Sequence, residues 1–102
     1  MKYIYIILLG LLALAPATYA QTGNITVNGK IVDESGEPLP GATVLEKGTE
    51  NNATITDFDG NFSLSVLSDA TLTISFIGYK SIEVPVEGKT ELSTITLVSD
   101  TR

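Results

Sequence analysis

The sequence predicts an all-β sandwich. Three observations predict it: short runs in which apolar and polar residues alternate with period two, turn-forming residues in the gaps between those runs, and no helical periodicity beyond about one turn after residue 20. Several short strands at this spacing bury one face each against a second sheet, which separates a sandwich from alternating βαβ units.

Residues 1–20 stand apart from that pattern. Lys2 gives a positive start, Tyr3 to Ala15 is an almost unbroken apolar run, and Thr18-Tyr19-Ala20 sets small residues before a cleavage point. The segment reads as a secretory signal peptide cut between Ala20 and Gln21, leaving 21–102 as one domain. The competing reading, a retained membrane anchor, needs an apolar run of ~18 to 20 residues, and this one stops short at Pro16. The absence of cysteine excludes a lipoprotein anchor and any disulfide, so a small exported domain must be held by packing alone.

The strands follow in order. Ile25, Val27 and Ile31 alternate with Thr26, Asn28 and Lys30; Gly29 falls on the apolar side, where a missing side chain predicts close approach of another backbone. Ala42, Val44 and Glu46 alternate with Thr43, Leu45 and Lys47. Phe62, Leu64 and Val66 alternate with Ser63 and Ser65, and Leu72, Ile74 and Phe76 with Thr71, Thr73 and Ser75, which assigns Phe62 and Phe76 to the core. Ile82, Val84 and Val86 come next, with Pro85 marking an edge strand or a bulge, and Leu92 to Val98 is the last run. Turn signals divide these runs at Ser35-Gly36, Gly48 to Asn52, Asp57 to Gly60, Ser68-Asp69, Gly78 and Glu87-Gly88.

Two loop signatures carry most of the local information. In Gly36-Glu37-Pro38-Leu39-Pro40-Gly41-Ala42 the prolines fix their own φ and push Glu37 and Leu39 out of the helical region, while Gly36 and Gly41 allow entry and exit. Thr56-Asp57-Phe58-Asp59-Gly60-Asn61-Phe62 reads as a hairpin turn in which Asp57 and Asp59 bond local backbone and Gly60 takes positive φ.

The chemistry is mostly negative. With neither His nor Cys the chain has no Ser-His-Asp or Cys-His system and no ordinary zinc site. Asp57 and Asp59 are the nearest carboxylate pair, but two residues apart on a tight turn they do not face each other across a substrate cleft. Asp57, Asp59 and Asn61 open like a calcium loop and then depart from it, since Gly60 is fourth rather than sixth and Ser68 stands where a bidentate Glu belongs. No cofactor or metal is expected. Twelve acidic against six basic residues, one of them Lys2, repel nucleic acid and anionic lipid, and the spread of charges reads as solubilising surface. Sugar platforms need exposed aromatic faces; there is no Trp, and only Phe58 at a hairpin tip and Tyr79 after Gly78 are available. A glycan is therefore a weakly supported ligand.

The ordered set Val27-x-Gly29-x-Ile31-x-Asp33, Gly36-x-Pro38-Leu39-Pro40-Gly41-Ala42-x-Val44, Lys47-Gly48-Thr49, Thr56-Asp57-x-Asp59-Gly60-x-Phe62 and Phe76-Ile77-Gly78-Tyr79 resembles the carboxypeptidase-regulatory-like domain. That domain is found at the N-terminus of SusC/RagA-type TonB-linked outer-membrane receptors of Bacteroidetes, and the likeness spans roughly residues 25 to 98. It implies a seven-stranded, transthyretin-like or prealbumin-like Greek-key sandwich. It also implies a non-enzymatic periplasmic accessory module whose partner is a protein, the outer-membrane receptor or its energy-coupling machinery. Such receptors continue into a plug and barrel that this chain is too short to hold, so it is expected to be a fragment of one or a stand-alone domain of the same type. The alternative is a free periplasmic or surface module binding carbohydrate or protein. The resemblance implies a bacterial source, in which the sequons at Asn24, Asn52 and Asn61 are incidental turn chemistry.

Overall fold

The computed structural model describes residues 23–100; the signal peptide expected over residues 1–20, with its expected cut between Ala20 and Gln21, lies outside the described residues. Seven strands form: β1 (Asn24–Val32), β2 (Thr43–Glu46), β3 (Ala53–Ile55), β4 (Asn61–Leu67), β5 (Thr71–Ser75), β6 (Ile82–Pro85) and β7 (Ile95–Thr96). They make a β-sandwich of a three-stranded sheet ordered β4-β1-β7 and a four-stranded sheet ordered β3-β2-β5-β6. The β1–β7 pairing is parallel, with Ile31 opposite Ile95, and the remaining ladders are antiparallel.

The period-two alternation does what it predicts. In β4 Phe62, Leu64 and Val66 point inward while Asn61, Ser63, Ser65 and Leu67 face out. They meet Val27 and Ile31 of β1, Val44 of β2, Leu72 and Ile74 of β5, and Val86, Ile95 and Leu97 in one buried cluster. Each of these side chains contributes about 1.5 to 3 kcal/mol relative to full exposure, so no disulfide is needed to close the core.

Four expectations are corrected. Ala53–Ile55 is a strand that no apolar run announces, because β3 is an edge strand that turns only Thr54 toward the sheet interior. The run Leu92 to Val98 shrinks to the two residues of β7, although Leu92, Ile95 and Leu97 still pack on the core. Phe76 is half-buried at the sandwich end rather than in the core. The approach to Gly29 comes from a ring, not a backbone: a Cβ there would lie 2.7 Å from Phe62 Cε2. Gly29 and Phe62 are opposite each other across β1 and β4, so the ring covers the place of the missing side chain. Pro85 does lie in an edge strand, since β6 pairs only with β5.

Candidate functional site

The two loop signatures are one construction. Thr56, buried between them, donates its hydroxyl to Leu39 O and accepts from Ala42 N at 2.9 Å, while its carbonyl accepts from Gly41 N at 3.0 Å and its N–H donates to Ala42 O at 2.9 Å. The extended conformation that Pro38 and Pro40 impose leaves the loop amides and carbonyls without ladder partners. A neighbouring threonine supplies them. Leu39, the buried residue between the two prolines, also bonds from its N–H to Ile31 O at 3.0 Å. Gly36 and Gly41 take φ of 87° and 84°, as the bends at either end of the loop require.

Gly60 lies at the centre of this arrangement. Its φ is 79°, its carbonyl accepts from Ile31 N at 2.8 Å, and a Cβ built there would stand 2.5 Å from Ile31 O and 3.2 Å from Pro38 Cβ. Backbone freedom and lack of volume are both required. The turn before it is held by Asp57, whose Oδ1 accepts from the N–H groups of Asp59 and Asn61 at 2.9 Å each. Asp59 contributes its backbone N–H, and its expected carboxylate bond to local backbone does not form.

The same device recurs between β1 and β2. Asp33 Oδ1 accepts from Ser35 N at 2.8 Å and Glu37 N at 3.0 Å, and Gly36 follows three positions on, as Gly60 follows Asp57. The shared Asp-x-x-Gly spacing was legible in the chain: at both turns the aspartate bonds the amides two and four residues on while the chain curls through a glycine of positive φ.

A second cluster joins the two sheets, between β2 with the residue before β3 on one side and edge strand β4 on the other. Glu46, buried at the end of β2, accepts from Asn52 Nδ2 at 2.8 Å and from Leu67 N of β4 at 3.1 Å; Asn52 Nδ2 also donates to Ser65 O at 2.7 Å. These bonds occupy outward backbone groups of β4 that would otherwise template another strand. Neither residue is a predicted site position; the one clue is a Glu on the apolar side of an alternating run. Asn52→Ala is expected to lower stability by about 1 to 2 kcal/mol, measured by urea unfolding, because it leaves Ser65 O and one oxygen of buried Glu46 without a donor.

The last signature ends in a tip. Gly78 has φ of 89°, the rings of Phe76 and Tyr79 are tilted against each other at 5.8 Å, and Tyr79 bridges to Ser99. Between them Ile77 is 93% exposed, and across the sandwich end Phe58 is 90% exposed. Among the described residues no group of three acidic side chains gathers to hold a metal ion. Asp57 Oδ1 is occupied by the backbone of its own turn, and Phe62 sits in the core. The arrangement displays a surface.

Residues 27–102 match the family described as a CarboxypepD_reg-like domain. The chain is similar to the TonB-dependent receptor SusC of Bacteroides thetaiotaomicron, at 53% identity over 62 residues, covering 61% of this chain and 6% of the receptor. A TonB-dependent receptor of Formosa agariphila is 44% identical over 64 residues, 62% of this chain and 6% of the relative. The match thus spans a small fraction of those proteins' length. Among solved structures, a chain of a type II cohesin–X-dockerin complex from Acetivibrio cellulolyticus aligns with a TM-score of 0.59 and 28% identity, over 72% of this chain and 57% of that one. A 3-chlorocatechol 1,2-dioxygenase from Rhodococcus opacus aligns at 0.52 with 15% identity, over 78% of this chain and 61% of that one, a likeness of fold alone.

Proposed function

The chain belongs to the CarboxypepD_reg-like domain family, and on that premise we propose that it is a non-enzymatic accessory module of a TonB-dependent receptor. In this reading residues 1–20 direct export and are removed. The domain then lies on the periplasmic side of the outer membrane, where it meets the receptor or its energy-coupling machinery while a glycan nutrient passes through a barrel that other residues form. The similarity to SusC carries the proposal. Two physical observations support it: Thr56, Gly60 and Asp57 of the signatures are used in holding loops and turns together, and the apolar Phe58 and Ile77 stand exposed.

The test is a deletion of residues 25–98 in a receptor that carries this domain. Barrel insertion should be unchanged, and uptake of the nutrient, or its regulation, should weaken. Unchanged uptake, combined with micromolar binding of an oligosaccharide to the domain, would favour a free glycan-binding module instead.

A further inference from the structure

A strip of apolar surface crosses one end of the four-stranded sheet. On one side Pro40, Ile55 and Phe58 border an open depression of about 420 Å³. On the other, Phe76 and Ile77 border a second of about 390 Å³ above Thr43 and Ser75. The two meet at Gly41, which has no side chain to divide them. Ile55, Thr43 and Ser75 are opposite one another in the β3–β2–β5 register, so their side chains share the outer face of the sheet and form the floor between the depressions.

Phe76 packs on the core from its place in the wall, but the other large apolar walls do not: Phe58, Ile77 and Ile55 are 90%, 93% and 63% exposed. The backbone that carries them is tied down. Phe58 lies within the turn bonded by Asp57 Oδ1, and the Ile77 loop is closed by Tyr79 N donating to Phe76 O at 3.0 Å and Asp100 N donating to Gly78 O at 2.8 Å. A backbone already ordered has less entropy to lose when a partner arrives, which favours a preorganised docking surface.

Charge selects the partner. Among the described residues the one charged group lining either depression is Asp57, exposed Asp59 follows two positions on, and the chain as a whole carries a net charge of −6. Of the four described lysines none lines either depression; Lys47 and Lys89 are paired with Glu83 and Glu87. A segment with apolar side chains between cationic ones would be complementary; an acidic one would be repelled.

We propose that this strip docks an extended segment of a partner protein, in which large apolar side chains seat in the two depressions and flanking Lys or Arg residues face Asp57 and Asp59. The proposal rests on the reading of the domain as a module that works through protein contacts, and it assigns that contact to one surface.

The probe is a nine-residue synthetic peptide with three leucines, separated by serines, between paired lysines. Titrated into the purified chain, it should shift the NMR signals of Ile55, Phe58 and Ile77. The double variant Phe58→Ser/Ile77→Ser should weaken binding at least roughly tenfold without lowering the melting temperature, since both side chains are exposed. A peptide with glutamates in place of the lysines should bind at least roughly tenfold more weakly. Absence of binding, equal binding to the double variant, equal binding of the glutamate peptide, or shifts confined to another face would each overturn the proposal. So would self-association that the double variant abolishes, which would make a second copy of the chain the occupant. In a receptor, uptake weakened by deletion of residues 25–98 but not by Phe58→Ser/Ile77→Ser would remove the strip and leave the accessory role standing. A deletion without effect would remove the accessory role, and the peptide titration would still decide the strip.

Discussion

Gly60→Ala is expected to destabilise the domain by about 3 kcal/mol, more than its backbone conformation alone accounts for. An alanine held at φ of 79° costs roughly 1 to 2 kcal/mol. The remainder comes from the methyl group, which would stand 2.5 Å from Ile31 O. That carbonyl cannot retreat, because it accepts Leu39 N while Ile31 N donates to Gly60 O. Forcing volume into such a place costs about 1 to 3 kcal/mol. For a domain of this size the sum corresponds to a fall in melting temperature of at least about 10 °C. Gly36→Ala supplies the control: φ is 87°, but nothing lies within 4 Å of the added Cβ, so about 1 kcal/mol is expected. Urea unfolding of both variants measures the difference. Equal losses would mean that Ile31 yields and that the close approach carries no energy.

Thr56→Val is expected to cost about 2 to 4 kcal/mol, although the two side chains have nearly the same shape. Valine fills the volume but offers Leu39 O no donor and Ala42 N no acceptor, and each buried group left without a partner costs about 1 to 3 kcal/mol. Thr56→Ser should recover most of the loss, since it restores the hydroxyl and removes only a methyl group. Hydrogen exchange should localise the damage: the Ala42 amide should lose protection in the valine variant while Leu64 and Val66 keep theirs until global unfolding. If valine were tolerated and the Ala42 amide stayed protected, the loop would be held by its prolines alone.

The two substitutions separate what lies along the chain from what lies across it. The sandwich class, the inward residues of β4 and β5, the edge position of Pro85 and the left-handed turns at Gly36 and Gly60 depend on interactions within a few residues. An aspartate reaches amides two and four positions ahead, a proline fixes its own φ, and alternation follows from the geometry of a single strand. Those preferences are intrinsic to the residues, so the sequence determined them by itself.

The rest depended on pairing between distant segments. Thr56 bonds Ala42 and Leu39 across 14 and 17 residues, Glu46 reaches Leu67 across 21, and the methyl that Gly60 excludes is excluded by the backbone of another strand. No local preference specifies such partners. The strand register does, and it is set only when both sheets close on a common core. β3 shows the same limit from the other side, since three residues with one inward side chain carry too little pattern to announce a strand until β2 lies beside them. Phe58 was legible as an exposed turn residue. That it shares a strip with Ile77 was decided by the tertiary structure alone, because the register of β3, β2 and β5 brings their two loops to the same end of one sheet.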